Sequence, residues 1–209
     1  MEATVSLPTR QRLIAAALEL FAERGYEGTS VGEIESAAGL VPRSGALYKH
    51  FPSKRALLGA ALAERMDAID RIDASLDLLP LGDLRSELTM IGRMALEELE
   101  SERLLARIVM KEGDRFPEIA ADFHHAIVAR GRALGIAWLE SRALSLGVEL
   151  ADPEATGEAL VDALVARALK SFMFGDHLAV VDRERYIDAW VELGVGLLAT
   201  GSERPKEAR

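Results

Sequence analysis

The sequence predicts an all-α protein of about nine helices, and three observations support this fold class. Apolar residues recur at helical spacing through most of the 209 residues. Residues that favour helix N-termini precede these stretches, and Gly or Pro follows them. No stretch alternates apolar and polar residues as a half-buried strand does. The chain is long enough for one large or two small domains.

The first two predicted helices have clear start and stop signals. Thr9 suits the N-cap of a helix that ends at Gly25. Ser30 and Glu33 have the spacing of a capping box, which predicts a second helix that ends at Gly39. The spacing predicts that the first helix buries Leu13, Ala17, Leu20 and Phe21.

A third helix is predicted from Pro42 to Pro52, with Leu47 and Phe51 buried at i and i+4. Its outward face is small, aromatic and basic, and consists of Gly45, Ala46, Tyr48, Lys49 and His50. Small residues allow close approach, and the polar edges can donate hydrogen bonds to anionic oxygens, as a helix in a DNA major groove must. The alternative is a surface helix pair with a solvated basic face.

The distribution of charge favours the first interpretation. The whole chain is acidic, with a net charge of −9, which by itself argues against a nucleic-acid partner. Residues 1–58 nevertheless hold seven Lys or Arg against six Glu, and residues 36–63 hold four basic residues and no acidic one. The sequence therefore predicts a basic head on an acidic body.

The stretch Gly45-Ala46-Leu47-Tyr48-Lys49-His50-Phe51-Pro52-Ser53-Lys54 resembles the recognition-helix signature of the tetracycline-repressor (TetR) family of transcriptional regulators. The upstream stretch 16–26, Ala-Ala-Leu-Glu-Leu-Phe-Ala-Glu-Arg-Gly-Tyr, and Thr29-Ser30-Val31 are similar to the family's first helix and second-helix start. The resemblance spans about residues 10–58. Two departures stand out: the turn from Gly39 to Gly45 is two residues longer than usual, and Ala46 replaces a common Thr.

The resemblance implies a cytoplasmic, homodimeric DNA-binding regulator, usually a repressor, that recognises a palindromic operator and is released by a small, largely apolar effector. Residues 1–53 would form a three-helix helix-turn-helix domain, residues 54–201 a helical ligand-binding and dimerisation domain, and residues 202–209 a tail. The expected contacts to base edges come from Arg43, Ser44 and Lys49, and those to the DNA backbone from Thr29, Tyr48, His50 and Lys54, with Gly45 and Ala46 approaching closely.

The remaining helices follow from apolar spacing, caps and breakers. A fourth helix is predicted from Lys54 to about Ser75. A small tilt at its C-terminal end, in the ligand-binding domain, would shift the face that reads DNA. The later helices are predicted at Asp83 to about Glu100, Glu102–Glu112, Pro117–Leu146, Asp152 to about Gly175, and from Asp182 onward. Glycines 194 and 196, inside the last helix, predict close approach of another helix.

Two sets of body residues are candidate sites. The family places its effector between the middle helices, so the predicted pocket consists of Met66, Met90, Met94, Met110, Phe123, His124, Trp138 and Phe172. The last two long helices are too apolar for water and predict a four-helix homodimer interface through Leu160, Leu164, Ala168, Trp190, Gly194, Leu197 and Leu198. Packing within one monomer is the alternative for these helices.

Several functions are not expected. The chain has no Cys, which excludes disulfides and thiolate chemistry, and no phosphate loop or nucleophile elbow. Adjacent His124 and His125 point about 100° apart on a helix, so no metal and no cofactor are expected. No targeting or membrane segment is predicted. An all-α ligand carrier or protein-interaction dimer that does not bind DNA is the competing hypothesis to a regulator, and an enzyme is not expected.

Overall fold

A computed structural model describes residues 7–61, 63, 64, 82–175, 177 and 179–200. All regular structure in these residues is helical, which confirms the predicted fold class. The elements are α1 (Thr9–Arg24), α2 (Val31–Ala37), a 3₁₀ turn (Leu47–Lys49), α3 (54–61 with 63 and 64), α4 (Leu84–Ser101), α5 (Arg103–Glu112), α6 (Pro117–Phe123), a π-helical segment (His124–Ala129), α7 (Arg130–Leu146), α8 (Pro153–Phe174) and α9 (Arg183–Thr200).

Most helix ends lie where the sequence predicts them. The capping box at the start of α2 is complete, because the Ser30 hydroxyl accepts from the Glu33 N–H and the Glu33 carboxylate accepts from the Ser30 N–H. Asp152 caps α8 through the N–H of Ala155 at 3.0 Å. The predicted cap at Thr9 is wrong: α1 begins one residue earlier, with Pro8 in the N-cap position.

Two predicted helices need separate comment. The helix predicted over residues 117–146 is observed as α6, the π-helical segment and α7. α3 confirms the start of the fourth predicted helix, with Leu57, Leu58 and Ala61 buried. The part of that helix predicted beyond residue 64, including Met66, lies outside the described residues.

The chain divides into two compact units. The first unit contains Met1–Ile69 and Glu102–Ile127, so α5 and α6 belong with the N-terminal helices. The second unit contains Asp70–Ser101 and Val128–Arg209. The functional boundary predicted after residue 53 stays a prediction.

The second unit is built on two apolar clusters. One unites α4, α8 and α9 through Leu88, Leu96, Leu164, Ile187, Trp190 and Val191, and the other contains Leu139, Ala143, Val148 and Leu198. Close packing of α4 on α9 depends on Gly194, because a Cβ there would lie 2.9 Å from the Leu88 Cδ1. The predicted close approach is thus confirmed at Gly194, whereas a Cβ at Gly196 would meet nothing within 4 Å.

Candidate nucleic-acid interface

The chain after α2 does not form the helix predicted from Pro42. Arg43 and Gly45 have φ angles of 60° and 73°, which a right-handed helix does not allow. The Ser44 N–H donates to the Val41 carbonyl at 3.3 Å, so this stretch closes a turn of its own. Regular structure is limited to the 3₁₀ turn, and we call residues 43–50 the recognition segment.

Two apolar side chains anchor the recognition segment. Leu47 is fully buried, and Phe51, which follows the segment, is 4% exposed. Both residues are buried, as the predicted i, i+4 spacing requires, and the Phe51 N–H donates to the Leu47 carbonyl at 2.9 Å, which is an i→i−4 bond. The anchors leave the residues between them on the surface.

The recognition segment brings together seven of the nine residues predicted to contact DNA. The exposed members are Arg43, Ser44, Tyr48, Lys49 and His50, and the half-buried members are Gly45 and Ala46. Tyr48 is 59% exposed, which is high for an aromatic side chain. Two cations, a phenol and an imidazole on one short surface segment can donate hydrogen bonds to phosphate oxygens and base edges.

The other two predicted contacts, Thr29 and Lys54, have partners inside the protein. Thr29 is 1% exposed, and its hydroxyl lies 2.9 Å from the Gly25 carbonyl and 3.2 Å from the Leu20 carbonyl. Lys54 Nζ donates to the carbonyls of Tyr26 at 2.5 Å and Thr29 at 2.8 Å. These contacts hold the loop that connects α1 to α2.

Lys54 also lies over an aromatic ring. Its Nζ is 4.1 Å from the centroid of the Tyr26 ring, a cation–π distance. Burial lowers the pKa of the Lys54 ammonium from its ordinary value, and the nearby carboxylates of Glu27 and Glu112 oppose this shift. The ammonium group is thus partly desolvated where it supports the loop.

Sequence analysis missed a second support for this loop, which comes from the end of α5. Lys111 Nζ donates to the carbonyls of Ala22 at 2.6 Å and Glu23 at 3.1 Å, at the C-terminus of α1. The Glu112 carboxylate accepts from the Tyr26 N–H at 2.8 Å. A cation near a helix C-terminus stabilises the helix end by bonding its last carbonyls, and a carboxylate that accepts from a loop N–H stabilises the loop. Long-range pairs of this kind carry no local sequence signal.

The described residues that were predicted for the pocket belong to both units. Met110, Phe123 and His124 belong to the first unit, and Met110 is exposed. In the second unit, Met90 and Met94 border an open groove along α4, whereas Trp138 packs against both apolar clusters. Phe172 is half-buried on α8. Met66 lies outside the described residues.

The second unit contains a cavity of about 420 Å³ that sequence analysis did not predict. It lies between α4, α8 and the start of α9, and is lined by Leu96, Glu100, Arg167, Ala168, Ser171, Ala179, Val181, Asp182 and Arg183. Arg183 donates to the Glu100 carboxylate at 2.8 Å. The Arg167 guanidinium lies 5.9 Å from the centroid of the Tyr186 ring. The lining is thus a mixture of charged and apolar groups.

Most residues predicted for the dimer interface are buried inside the single chain. Leu164, Ala168, Trp190 and Leu198 are at most 5% exposed, and the Trp190 indole N–H donates to the Leu160 carbonyl at 2.9 Å. The opposite faces of the same helices are exposed. They present Ala159, Ala166, Leu169 and Met173 on α8, and Ala189, Leu193 and Gly196 on α9.

Three further observations concern metal binding and membrane spans. The rings of His124 and His125 are 5.5 Å apart and nearly perpendicular. Across the described residues, no three His, Cys, Asp or Glu side chains are grouped so that they could hold a metal ion. No helix in the same part of the chain has both the length and the apolar character needed to cross a membrane.

Comparison with known proteins identifies the chain. The family model for bacterial regulatory proteins of the tetR family matches residues 13–61, and the model for the C-terminal domain of AefR-like transcriptional repressors matches residues 86–196. The regulator UidR of Escherichia coli (strain K12) is 32% identical over 119 residues, which cover 56% of this chain and 58% of that protein. The chain therefore spans less than two thirds of this curated relative.

Solved structures share the fold at low sequence identity. FadR of Bacillus subtilis, in complex with stearoyl-CoA, aligns with a TM-score of 0.67 and 20% identity over 90% of this chain and 98% of that one. GusR of Salmonella enterica aligns with a TM-score of 0.62 and 24% identity over 95% of this chain and 100% of that one. The two family-model matches show that the chain belongs to the TetR family of DNA-binding transcriptional regulators, which are not enzymes.

Proposed function

We propose that the protein is a cytoplasmic homodimeric repressor that binds a palindromic operator through the recognition segment and is released by a small ligand. One observation carries the proposal: exposed Tyr48, Lys49 and His50 lie directly between the buried anchors Leu47 and Phe51. A surface held in this way presents polar groups in a fixed position, which base-edge recognition requires.

The side chains of the recognition segment are assigned different roles according to their chemistry. Arg43 and Lys49, with Ser44, are assigned to base edges, because cationic side chains donate to guanine O6 and N7. Tyr48 and His50 are assigned to phosphates, and the small side chains of Gly45 and Ala46 permit close approach. Thr29 and Lys54 support this surface from within, through their contacts with the α1–α2 loop.

The homodimer is assigned to the exposed faces of α8 and α9. Leu169 is 38%, Met173 56% and Leu193 64% exposed, which is unusual for three large apolar side chains on adjacent helices. Two copies that pair through these helices form a four-helix interface. The two recognition segments of such a dimer would read half-sites one helical turn apart, about 10 base pairs.

The dimer has its own test. Leu193→Glu places a charge on the exposed face of α9, and Leu144→Glu places one at an apolar residue on α7 that is 83% exposed. We expect Leu193→Glu to sediment as a monomer in analytical ultracentrifugation and Leu144→Glu to sediment as a dimer, because only the former buries a charge in the interface. A dimeric Leu193→Glu protein would contradict this interface.

The effector is proposed to be a small, largely apolar molecule that binds the second unit. The fold that this chain shares with FadR, which binds stearoyl-CoA, supports an apolar ligand class. The cavity at α4 and α8 offers space of the size that small molecules occupy, and Arg167 and Ser171 are among the polar residues that line it. DNA and effector would favour different conformations, with a coupling of about 1–3 kcal/mol.

DNA binding is tested with duplexes selected from a random pool by the wild-type protein. A near-palindromic sequence should be enriched, and the ligand found by calorimetric screening of apolar compounds should lower affinity for it. If no duplex is enriched while ligands bind, the protein is instead an all-α ligand carrier. A ligand that saturates the protein without changing operator affinity would contradict the proposed release mechanism.

A further inference from the structure

Glu35, on α2, is a carboxylate with no exposed surface. Such a group is costly to bury unless hydrogen bonds compensate for lost water. One oxygen, Oε1, accepts from the Leu47 N–H at 3.0 Å. Oε2 has no hydrogen-bond partner among the described residues. A buried carboxylate that is hydrogen-bonded at only one oxygen contributes little to stability. Its effect on the position of the group that it bonds is therefore the more important one.

The Leu47 N–H needs this partner because the chain before it is irregular. Positive φ angles at Arg43 and Gly45 prevent an i→i−4 hydrogen-bond series from reaching Leu47. The N–H groups that follow are paired within the turn: Tyr48 donates to the Gly45 carbonyl at 3.1 Å and Lys49 to the Ala46 carbonyl at 3.3 Å. Leu47 is thus the point where the recognition segment attaches to α2 through a directional bond.

Apolar anchoring alone does not fix the orientation of the Leu47 peptide plane. The Leu47 side chain sets the depth of the segment, but apolar contacts are not directional. A hydrogen bond to the Leu47 N–H fixes the orientation of the peptide plane, because such bonds weaken steeply away from linearity. That peptide leads directly into Tyr48 and Lys49, which point outward.

We propose that Glu35 is a positioning residue for the recognition segment: it contacts no DNA, and orients the Leu47 peptide so that Lys49 meets a base edge while Tyr48 and His50 meet phosphates. This inference rests on the proposed function, because it assumes that the segment reads DNA. It also connects two features of the sequence, the long turn after Gly39 and the buried acid on α2.

A matched pair of variants tests the proposal. Glu35→Gln keeps an oxygen that accepts from the Leu47 N–H, whereas Glu35→Met has similar length and helix propensity but no such acceptor. Both remove the charge. Thermal unfolding shows whether each variant is folded, and amide hydrogen exchange of Leu47 reports the bond directly in the absence of DNA.

The DNA probes are the duplex selected by the wild-type protein and an unrelated duplex of equal length. We expect Glu35→Met to lose at least about tenfold in affinity for the selected duplex, with its affinity for the unrelated duplex unchanged, and Leu47 to exchange faster. Glu35→Gln should keep both affinities and slow exchange. A merely structural role would lower both affinities in proportion to lost stability.

Two results would overturn the inference. One is a Glu35→Met protein that keeps wild-type affinity for the selected duplex, and the other is a Glu35→Gln protein that loses affinity as Glu35→Met does. If the wild-type protein selects no duplex, the proposed function fails instead. The exchange of Leu47 in the two variants would then still decide whether Glu35 orients this peptide.

Discussion

Different kinds of contact stand out inside each of the two units. In the first unit, side chains bond directly to backbone groups at the end of α1 and in the α1–α2 loop: Thr29, Lys54, Lys111 and Glu112 all do so. The second unit relies on apolar clusters, with ion pairs such as Arg93–Glu184 on its surface. Directional bonds fix geometry, whereas apolar burial provides stability. Core substitutions should therefore change mainly stability, whereas substitutions of these bonding side chains should also change DNA reading.

The largest effect on stability is expected in the second unit. Trp190→Ala removes a side chain that is 5% exposed and packs beside Gly92. We expect a loss of about 3–5 kcal/mol in the free energy of unfolding, measured in urea, because the cavity cannot be refilled. Leu144→Ala, at an exposed apolar residue, serves as the control and should change the free energy by less than about 0.5 kcal/mol. Similar losses in both variants would contradict a stability based on the core.

The next effect compares two glycines of α9. Gly194→Ala drives a Cβ against Leu88, and we expect it to lower stability by about 1–3 kcal/mol. A Cβ at Gly196 would meet no atom of its own chain within 4 Å, and the gain in helix propensity should raise the stability of the single chain by up to about 1 kcal/mol. Urea unfolding of both variants measures the difference. Equal effects would mean that α4 does not pack against Gly194.

A loss of stability of similar size is expected in the first unit. Lys54→Met keeps the apolar stem but removes the donor to the Tyr26 and Thr29 carbonyls, so the free energy of unfolding should fall by about 1–3 kcal/mol. Operator affinity should also fall, even though Lys54 contacts no phosphate in this account. An unchanged salt dependence of DNA binding would distinguish support from phosphate contact, since each lost phosphate contact lowers the slope by about one.

The smallest effect is expected at the capping box of α2. Hydrogen bonds from Ser30, with a lesser contribution from Arg24, lower the pKa of Glu33. A carboxylate with a lowered pKa stabilises the fold above its unfolded pKa, and this contribution is lost as the pH falls through the folded value. Ser30→Ala should therefore be less stable than wild type at neutral pH, with a gap that narrows in acid. A gap of constant size across the acid range would contradict this origin.

Local signals explain what the sequence could predict. The capping box of Ser30 and Glu33 predicts the start of α2, and Gly25 predicts the end of α1. The spacing of Leu47 and Phe51 identifies the buried side of the segment that follows α2. The prediction of a helix from Pro42 was wrong because Arg43 has a positive φ angle. Arginine rarely adopts such an angle, so no sequence signal indicates it.

Other features depend on partners distant in the sequence. Nothing near Glu112 indicates that it bonds to Tyr26, and nothing near Glu35 indicates that it bonds to Leu47. The dimer residues illustrate a second limit. α9 is apolar on more than one face, so spacing alone could not show that Trp190 faces the core while Leu193 faces outward.

The affinity of Lys49→Ala for the selected duplex tests the central claim most directly, with Arg107→Ala, an exposed cation on α5, as the charge-matched control. We expect Lys49→Ala to lose about 5- to 150-fold in affinity and to lose preference at one base position of each half-site, because a base-edge contact is worth about 1–3 kcal/mol. Arg107→Ala should bind as wild type does. Equal affinities of both variants for the selected duplex would contradict the assignment of the recognition segment to DNA reading.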